Sequence, residues 1–210
     1  MDEHIGSVIM NYDHYPGEDY YSDGVIEDEM LNFVRSHSIT DYQEFVDERK
    51  SWAGLYHFSP IRQNIVSSIS IDRTQKVLEV GAGCGAVTGR LCELADSVTC
   101  IELSKKRSLI NAYRNQDKDN LSIIVGNFQD IVGKMNEQYD VVTMIGVYEY
   151  AMTYIDDPDP YHTFLNVIKR ITRPGGRILI AIENSQMDEI VTFSEDAIYK
   201  TEGSGISRDI

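Results

Sequence analysis

Short apolar runs alternate with amphipathic stretches from residue 76 onward. Runs such as KVLEV, LSIIVG and RILIAIE are apolar on both faces, and the stretches between the runs carry apolar residues at helical spacing. This pattern predicts five strands, with helices over 85–94, 104–115 and about 159–172. Strands that are buried on both faces and separated by helices form a parallel sheet with right-handed crossovers. The predicted fold class is therefore α/β, with a doubly wound, mostly parallel sheet.

The first third of the chain is helical in pattern wherever it is regular. Residues 25–36 place apolar side chains on one broad face, which is typical of an amphipathic helix. Ser59 and Pro60 suit the start of a further helix, because serine caps helix ends and proline fits the first turn. We expect residues 1–75 to form a helical N-terminal extension or lid, and residues 76–210 to form the main domain.

Composition and charge exclude several classes of partner. The chain has 210 residues and 42% hydrophobic content, which suits one sizeable core rather than two. Its formal net charge of −15 at pH 7 repels a phosphate backbone, so neither nucleic acid nor an anionic membrane surface is an expected partner. No run approaches the roughly 20 apolar residues that span a bilayer, and the N-terminus lacks the basic start of a signal peptide. We therefore expect a cytoplasmic protein.

The three cysteines indicate neither a disulfide framework nor a metal site. Cys84, Cys92 and Cys100 are odd in number and form no CxxC pair. They are predicted to be free thiols, and no metal is expected. Cys84 lies at a predicted helix start, which favours a thiolate, but its small size in a crowded loop explains it equally well.

The sequence VLEVGAGCGAVTGRL joins the first strand of the α/β region to the helix that follows it. Gly81, Gly83 and Gly85 alternate along this turn, and residues without a Cβ leave backbone N–H groups free to face a ligand. With Ala86 in the place of a third glycine, the same letters fit the dinucleotide fingerprint. The glycines alone therefore do not choose between NAD and another nucleoside.

Two carboxylates near the turn favour a nucleoside ligand, and one of them favours a ligand that carries positive charge. Glu79 lies in the strand two residues before Gly81, where its charge suits a sulfonium and an ammonium better than a pyrophosphate. Glu102 closes the second strand, where it can accept hydrogen bonds from both ribose hydroxyls, although that position serves NAD equally well. Together with the long preface before the first strand, these residues favour S-adenosylmethionine.

Five motifs follow one another in a fixed order along the α/β region. They are LEVGAGCGAVTG, CIELS, GNFQDI, YDVVTMIGVYEYA and RPGGRILIAIEN, and they cover about residues 76–184. This series resembles that of class I S-adenosylmethionine-dependent methyltransferases, which implies a Rossmann-like fold and methyl transfer, expected at an oxygen of a small molecule or glycan intermediate. The leader segments YPGEDYYSDGVIEDEML and LYHFSPIRQNI are similar to those of a bacterial group often joined to glycosyltransferases and found with surface-glycan genes.

The resemblance also implies which residues hold the cofactor. The glycine loop would pack against the methionyl part, Glu102 would bind the ribose, and Asn127 with Phe128 would hold the adenine. The implied set is Glu79, Gly81, Ala82, Gly83, Gly85, Glu102, Leu103, Asn127, Phe128, Ile145 and Gly146. The expected cofactor is S-adenosyl-L-methionine, which leaves as S-adenosyl-L-homocysteine.

Three residues are candidates for positioning the methyl acceptor or removing its proton. Tyr150 occupies the position that holds a histidine in many small-molecule methyltransferases, and its ordinary pKa of about 10 favours positioning over proton transfer. Glu149 beside it fits equally well as a charge in the first turn of a helix. His57 is the better base by its chemistry, although a histidine ahead of a helix is more often a local hydrogen-bonding group.

The end of the sequence leaves the edge of the sheet open. After Asn184 only EIVTF and AIYKT resemble strands, whereas the family's sheet ends in a two-stranded hairpin. We expect either a different acceptor site or an incomplete edge that a partner chain supplies, which would favour association, for instance as a homodimer. Two alternatives to an active methyltransferase stay open: a cofactor-binding module without turnover that partners a glycosyltransferase, and a nicotinamide oxidoreductase.

Overall fold

The computed structural model of the chain describes residues 2–67, 69–182, 189–194, 197–202 and 205–207, the last three ranges as backbone only. Its strands are β1 Glu3–Ile5, β2 Val8–His14, β3 Lys76–Val80, β4 Ser97–Glu102, β5 Leu121–Gly126, β6 Tyr139–Ile145, β7 Thr172–Ile182, β8 Glu189–Ser194, β9 Ala197–Glu202 and β10 Gly205–Ser207. Its α-helices are α1 Val25–Val34, α2 Tyr42–Arg49, α3 Trp52–Phe58, α4 Asn64–Ser67, α5 Thr88–Leu94, α6 Lys105–Arg114, α7 Phe128–Val132, α8 Ala151–Tyr154 and α9 Pro160–Ile171. Short 3₁₀ turns cover Ile39–Asp41, Pro60–Gln63 and Tyr148–Tyr150.

One sheet contains all of these strands, in the order β1-β2-β5-β4-β3-β6-β7-β8-β9-β10. The six neighbours from β2 to β7 pair in parallel, whereas β1, β8, β9 and β10 pair antiparallel. The chain order reverses at β3, which has β4 on one side and β6 on the other. Such a switch point opens a crevice at the carboxyl ends of the strands. The predicted doubly wound, mostly parallel α/β fold is confirmed.

The helices of the α/β region lie close to their predicted positions. Helices over 104–115 and 159–172 are observed as α6 and α9, each shorter by about one residue at either end. The helix predicted over 85–94 starts only at Thr88, because the chain up to that residue forms the glycine loop. The three cysteines are buried and free, as predicted.

At the extreme N-terminus, the structure differs from the predicted helical extension. β1 and β2 form a hairpin, and β2 pairs in parallel with β5, which places Met10 beside Ile123. Val8 and Met10 are fully buried, whereas Ile9 between them is 39% exposed. The prediction of helices alone was therefore wrong for residues 3–14, because the strand is stabilised by a partner more than a hundred positions away. The helices of the extension begin only at α1.

The helical part of the extension packs directly on the glycine loop. Its aromatic core includes Tyr42 and Phe58, whose rings stack with centroids 4.5 Å apart. Cys84 of the glycine loop and Ile110 of α6 belong to the same buried cluster. The predicted start at Ser59 opens a 3₁₀ turn that leads into α4, and α3 before it was not predicted. The extension thus covers one end of the α/β sheet.

The edge of the sheet beyond β7 also differs from the prediction. The candidates EIVTF and AIYKT correspond to β8 and β9, and β8 continues the sheet beside β7 in antiparallel register. The expectation of an incomplete edge was wrong for the described residues, because two short runs suffice to build an antiparallel hairpin. Asn184 lies outside the described residues.

Two features are absent from the described residues. Across them, no group of three or more His, Cys, Asp or Glu side chains is arranged to hold a metal ion. In the same part of the chain, none of the helices combines the length and the apolar character needed to cross a membrane.

Candidate cofactor and active site

A cavity of about 270 Å³ opens at the carboxyl ends of β3, β4 and β6, where the strand order reverses. The sheet contributes the loop after β3 together with Leu103, which follows β4, and Gly146, which follows β6. The N-terminal extension contributes the opposite wall, through Tyr21, Trp52 and His57 among others. A ligand in this cavity would therefore lie between the extension and the sheet.

The glycine loop has three residues in the left-handed region, each with a different neighbour. Gly81 has φ +69°, and a Cβ there would lie 2.2 Å from Cγ2 of Val147. A Cβ on Gly85 would lie 2.3 Å from Oδ1 of Asn111, so packing against α6 requires this glycine. A Cβ on Gly83 would meet nothing closer than Cε1 of His57, at 3.8 Å. Gly83 is thus the position where backbone faces open space.

Glu102 connects the end of β4 to the glycine loop. Its Oε2 accepts a hydrogen bond from the Gly83 N–H at 2.7 Å, and its Oε1 accepts one from the Ser104 N–H at 2.9 Å. Burial raises the pKa of this carboxyl group, and the two backbone donors oppose that shift. The carboxylate is 6% exposed and lines the cavity, where a hydroxyl-bearing ligand can reach it.

Glu79 is a buried carboxylate whose hydrogen-bond donors are neutral. Its Oε2 accepts from Oγ1 of Thr88 at 2.6 Å and from Sγ of Cys100 at 3.3 Å. Burial raises its pKa to about 7, since neither donor offsets the loss of hydration. The side chain lines the cavity. A cationic group bound there would lower the cost of ionising Glu79.

A smaller cavity of about 70 Å³ lies beside the first and contains the residues expected at the adenine. Asn127 caps α7 by accepting from the Gln129 N–H at 3.1 Å, and its amide donates to the Tyr154 carbonyl at 3.2 Å. The Phe128 ring packs on Phe164, with centroids 4.7 Å apart. The two cavities share the wall residues Val80, Gly81, Leu103, Val147, Tyr150 and Tyr154. One elongated ligand can therefore occupy both.

The three candidates for acceptor chemistry occupy different environments. His57 is 3% exposed, its Nε2 lies 3.3 Å from Oδ2 of Asp23, and burial lowers its pKa. Tyr150 is 42% exposed, with its ring 6.3 Å from that of Tyr21. Both line the larger cavity, whereas Glu149 lines neither cavity. Of the three, His57 has the neutral ring that a general base requires at pH 7.

The protein-family comparison gives the class of this domain. Residues 78–180 match the model of a methyltransferase domain family. The chain carries a class I S-adenosylmethionine-dependent methyltransferase domain. The match begins in β3 and ends in β7, so it includes every strand that contributes to the cavity.

Curated relatives of the methyltransferase domain act on different acceptors. The chain is 26% identical over 140 residues to the ubiquinone biosynthesis O-methyltransferase of Pseudomonas syringae pv. tomato, which covers 66% of this chain and 57% of the relative. It is 29% identical over 115 residues to the ribosomal RNA small subunit methyltransferase A of Borrelia garinii subsp. bavariensis, covering 52% and 41%. The chain thus spans about half the length of these curated relatives, 57% of the first and 41% of the second.

The solved structures support the fold of the methyltransferase domain. Phosphoethanolamine N-methyltransferase 1 of Haemonchus contortus superposes with a TM-score of 0.53 and 20% identity, over 79% of this chain and 34% of that one. At this level of identity the likeness shows the Rossmann-like fold alone.

The fold brings most of the sequence-predicted site residues together. The larger cavity is lined by Glu79, Gly81, Ala82, Gly83, Glu102, Leu103, Ile145, Gly146, His57 and Tyr150, and the smaller one by Asn127 and Phe128. Gly85 and Glu149 line neither cavity.

Sequence reasoning missed several residues of the cavity wall. They include Asp23 from the segment before α1, Arg62 from the extension, and Arg107 from α6. Arg107 is only 7% exposed, although it lies in the first turn of a helix. In the sequence, Arg107 looks like an ordinary charged residue of a surface helix. Its acidic partners could not be recognised from the pattern, because they lie about 80 positions earlier in the chain.

Proposed function

We propose that the chain transfers the methyl group of S-adenosylmethionine to a hydroxyl oxygen of a small molecule or sugar intermediate. The observation that supports this most is the cavity of about 270 Å³ at the switch point of the sheet, between Gly83 and Glu102 on one side and His57 on the other. S-Adenosylmethionine, when bound, supplies a methyl group that is already activated on a sulfonium. The protein then has to bind both partners, align them and remove one proton.

The residues at the cavity fit such a cofactor. Glu79 offers a buried carboxylate to a cationic group, and Glu102 offers its oxygens to ribose hydroxyls. Gly83 allows close approach of a ligand to the backbone, because a Cβ there would project toward open space. Asn127 and Phe128 stand at the adjoining cavity, whose apolar lining suits a planar base. Together these residues would hold the adenosyl and methionyl parts.

His57 is the residue that we assign to proton removal. As a neutral imidazole it accepts the proton that the hydroxyl loses on methylation, and it releases that proton to solvent afterwards. Burial keeps the ring neutral at pH 7, since it lowers the pKa of the imidazole. Tyr150, at the rim of the same cavity, is assigned to positioning of the acceptor.

Aromatic side chains of the cavity wall support an acceptor that contains a ring. Trp52 is 74% exposed although it lines the cavity, and its ring lies 6.0 Å from that of Tyr56. Exposed rings of this kind stack on planar groups or on the apolar face of a sugar. The similarity to an O-methyltransferase of ubiquinone biosynthesis favours oxygen as the acceptor atom. Sugars belong to the proposed acceptors as well, because the leader segments are similar to those of glycan-associated methyltransferases. The proposed partner is a glycosyltransferase or a second copy of the chain.

The compartment that we propose is the cytoplasm. Three cysteines are buried and free in the structure, which fits a reducing environment. The acidic net charge of −15 disfavours nucleic acid as the acceptor, even though one relative is a ribosomal RNA methyltransferase.

Calorimetry tests the cofactor part of the proposal. We expect micromolar binding of S-adenosylmethionine and S-adenosylhomocysteine and none of NAD. Binding of NAD without either methyl-donor ligand would instead support a nicotinamide oxidoreductase. Turnover is measured as transfer of labelled methyl groups from S-adenosylmethionine into extracts rich in nucleotide sugars and phenols. Cofactor binding without any labelled product in these extracts would point to a binding module.

A further inference from the structure

A chain of charged groups connects His57 to the α/β domain. The Asp23 carboxylate lies 3.3 Å from Nε2 of His57 and accepts a hydrogen bond from Nη2 of Arg107 at 2.7 Å, both at the same oxygen. The Arg107 Nε donates to Glu27 at 2.6 Å. Glu27 is fully buried, and its carboxylate also accepts from the Asp23 N–H at 3.0 Å. The carboxylate next to His57 is therefore fixed through both its side chain and its backbone.

This arrangement determines which nitrogen of His57 carries the proton. Asp23 is ionised at neutral pH, because the hydrogen bond from His57 and the nearby Arg107 lower the pKa of its carboxyl group. An ionised carboxylate only accepts hydrogen bonds, so Nε2 of His57 has to be the donor. A neutral imidazole has one N–H, which leaves Nδ1 as a bare acceptor.

We propose that Asp23 is a positioning residue that holds neutral His57 in the Nε2–H form, so that Nδ1 receives the proton of the methyl acceptor, and that Arg107 and Glu27 hold Asp23 in place. The proposal rests on the role of His57 in the proposed function. It places the orientation of the base in the N-terminal extension, at Asp23, rather than in the α/β sheet. The base is therefore assembled only when the segment before α1 is docked on α6.

The charges that face His57 have opposing effects on its pKa. Asp23 raises it, whereas Arg107 and Arg62 lower it, and burial lowers it most. The edge of the ring also faces Tyr56, with centroids 5.0 Å apart and planes at 87°. Removal of the Asp23 charge leaves the two arginines unopposed, so the imidazole becomes harder to protonate. A purely structural role for Asp23 would not produce this effect.

The test is nitrogen-detected NMR of the histidine rings in the full chain saturated with S-adenosylhomocysteine. We expect wild-type His57 to be the Nε2–H tautomer at pH 7. In Asp23→Asn, the tautomer should become mixed or reversed, and the pKa of His57 should fall further, because the carboxylate that raises it is lost. Asp23→Glu should restore the wild-type tautomer at least in part.

Asp19→Asn is the matched control. Asp19 lies in the same acidic segment, but its carboxylate accepts from the backbone N–H groups of Lys105 and Lys106, at 2.6 and 3.0 Å, instead of contacting His57. This variant should leave the tautomer and the pKa of His57 unchanged. If Asp19→Asn shifts them as much as Asp23→Asn does, general loosening of the segment explains the effect and the proposal is wrong.

Two outcomes separate this inference from the proposed function. An Nδ1–H tautomer in the wild-type chain overturns the role of Asp23, even if the Asp23→Asn variant fails to fold. Calorimetry on the same wild-type sample reports on the cofactor independently, and Asp23→Asn should bind S-adenosylhomocysteine within about threefold of wild type. If the wild-type chain does not bind S-adenosylhomocysteine, the proposed function is wrong, whichever tautomer His57 adopts.

Discussion

At the residue scale, burial of the Glu79 side chain opposes ionisation of its carboxyl group. The pKa of its carboxyl group rises from 4.5 to about 7 on folding. Between these pH values the folded chain binds more protons than the unfolded chain, so the free energy of unfolding falls as the pH rises. A cationic ligand that reaches Glu79 would reverse part of this loss, and its binding would weaken as the pH falls below 7 and Glu79 becomes protonated.

Glu79→Gln removes this pH dependence. We expect the variant to gain stability over wild type as the pH rises from 5 to 8, by as much as about 3 kcal/mol, because an amide stays neutral where the carboxylate must ionise. Urea unfolding of the ligand-free chain at several pH values measures the difference. Glu44→Gln, at an exposed site on α2, is the control and should follow wild type. Parallel curves for wild type and Glu79→Gln would show that Glu79 ionises freely in the fold.

Glu102 allows a second test at the same scale, this time of binding. Glu102→Gln keeps an acceptor for one backbone N–H but loses the charge and one acceptor oxygen, so S-adenosylhomocysteine should bind about 10- to 100-fold more weakly, or roughly 1–3 kcal/mol. Calorimetry gives the affinity, and a melting curve without ligand checks the fold. Glu93→Gln, on an exposed side chain of α5, should bind like wild type. Unchanged affinity in Glu102→Gln would mean that the end of β4 is not the ribose site.

At the element scale, sequence patterns predicted those segments whose structure depends on near neighbours in the chain. The central strands β3 to β6 were predictable because burial of most of their positions makes them largely apolar. The hairpin of β1 and β2 was not predicted, since its alternation is short and its partner β5 is distant in sequence. The same distance concealed the pairing of Arg107 with Asp23 and Glu27.

The β1–β2 hairpin yields a stability prediction with a built-in control. Met10 of β2 is fully buried beside Ile123, and its neighbour Ile9 faces the other side at 39% exposure. Met10→Ala should therefore cost about 2–5 kcal/mol of unfolding free energy, because it leaves a cavity in the core. Ile9→Ala should cost much less, as expected at a partly exposed position. Equal losses in urea unfolding would mean that β2 does not pack on β5 in this register.

At the scale of the whole molecule, the cavity is composed of two parts that the sequence presents very differently. The α/β half carries ordered motifs, so the residues on this side of the cavity were predictable down to Gly83 and Glu102. The wall opposite comes from the extension, where Asp23, Trp52 and Arg62 have no motif of their own and acquire a role only through the fold. Acceptor specificity is expected to depend on this second wall, which is why the sequence gives the reaction class more readily than the substrate.

The net charge of the molecule provides a test of that substrate class. One relative modifies ribosomal RNA, yet this chain has 34 acidic residues against 19 lysines and arginines, and two of its arginines, Arg107 and Arg114, are buried. Affinity for RNA depends on cations that replace the counterions of the phosphates, so we expect no complex with structured ribosomal RNA fragments in a mobility-shift assay at about 150 mM salt. The same sample should bind S-adenosylhomocysteine, which shows that it is folded. A micromolar RNA complex that weakens steeply with salt would reveal a local basic surface and would move the acceptor from small molecules to nucleic acid.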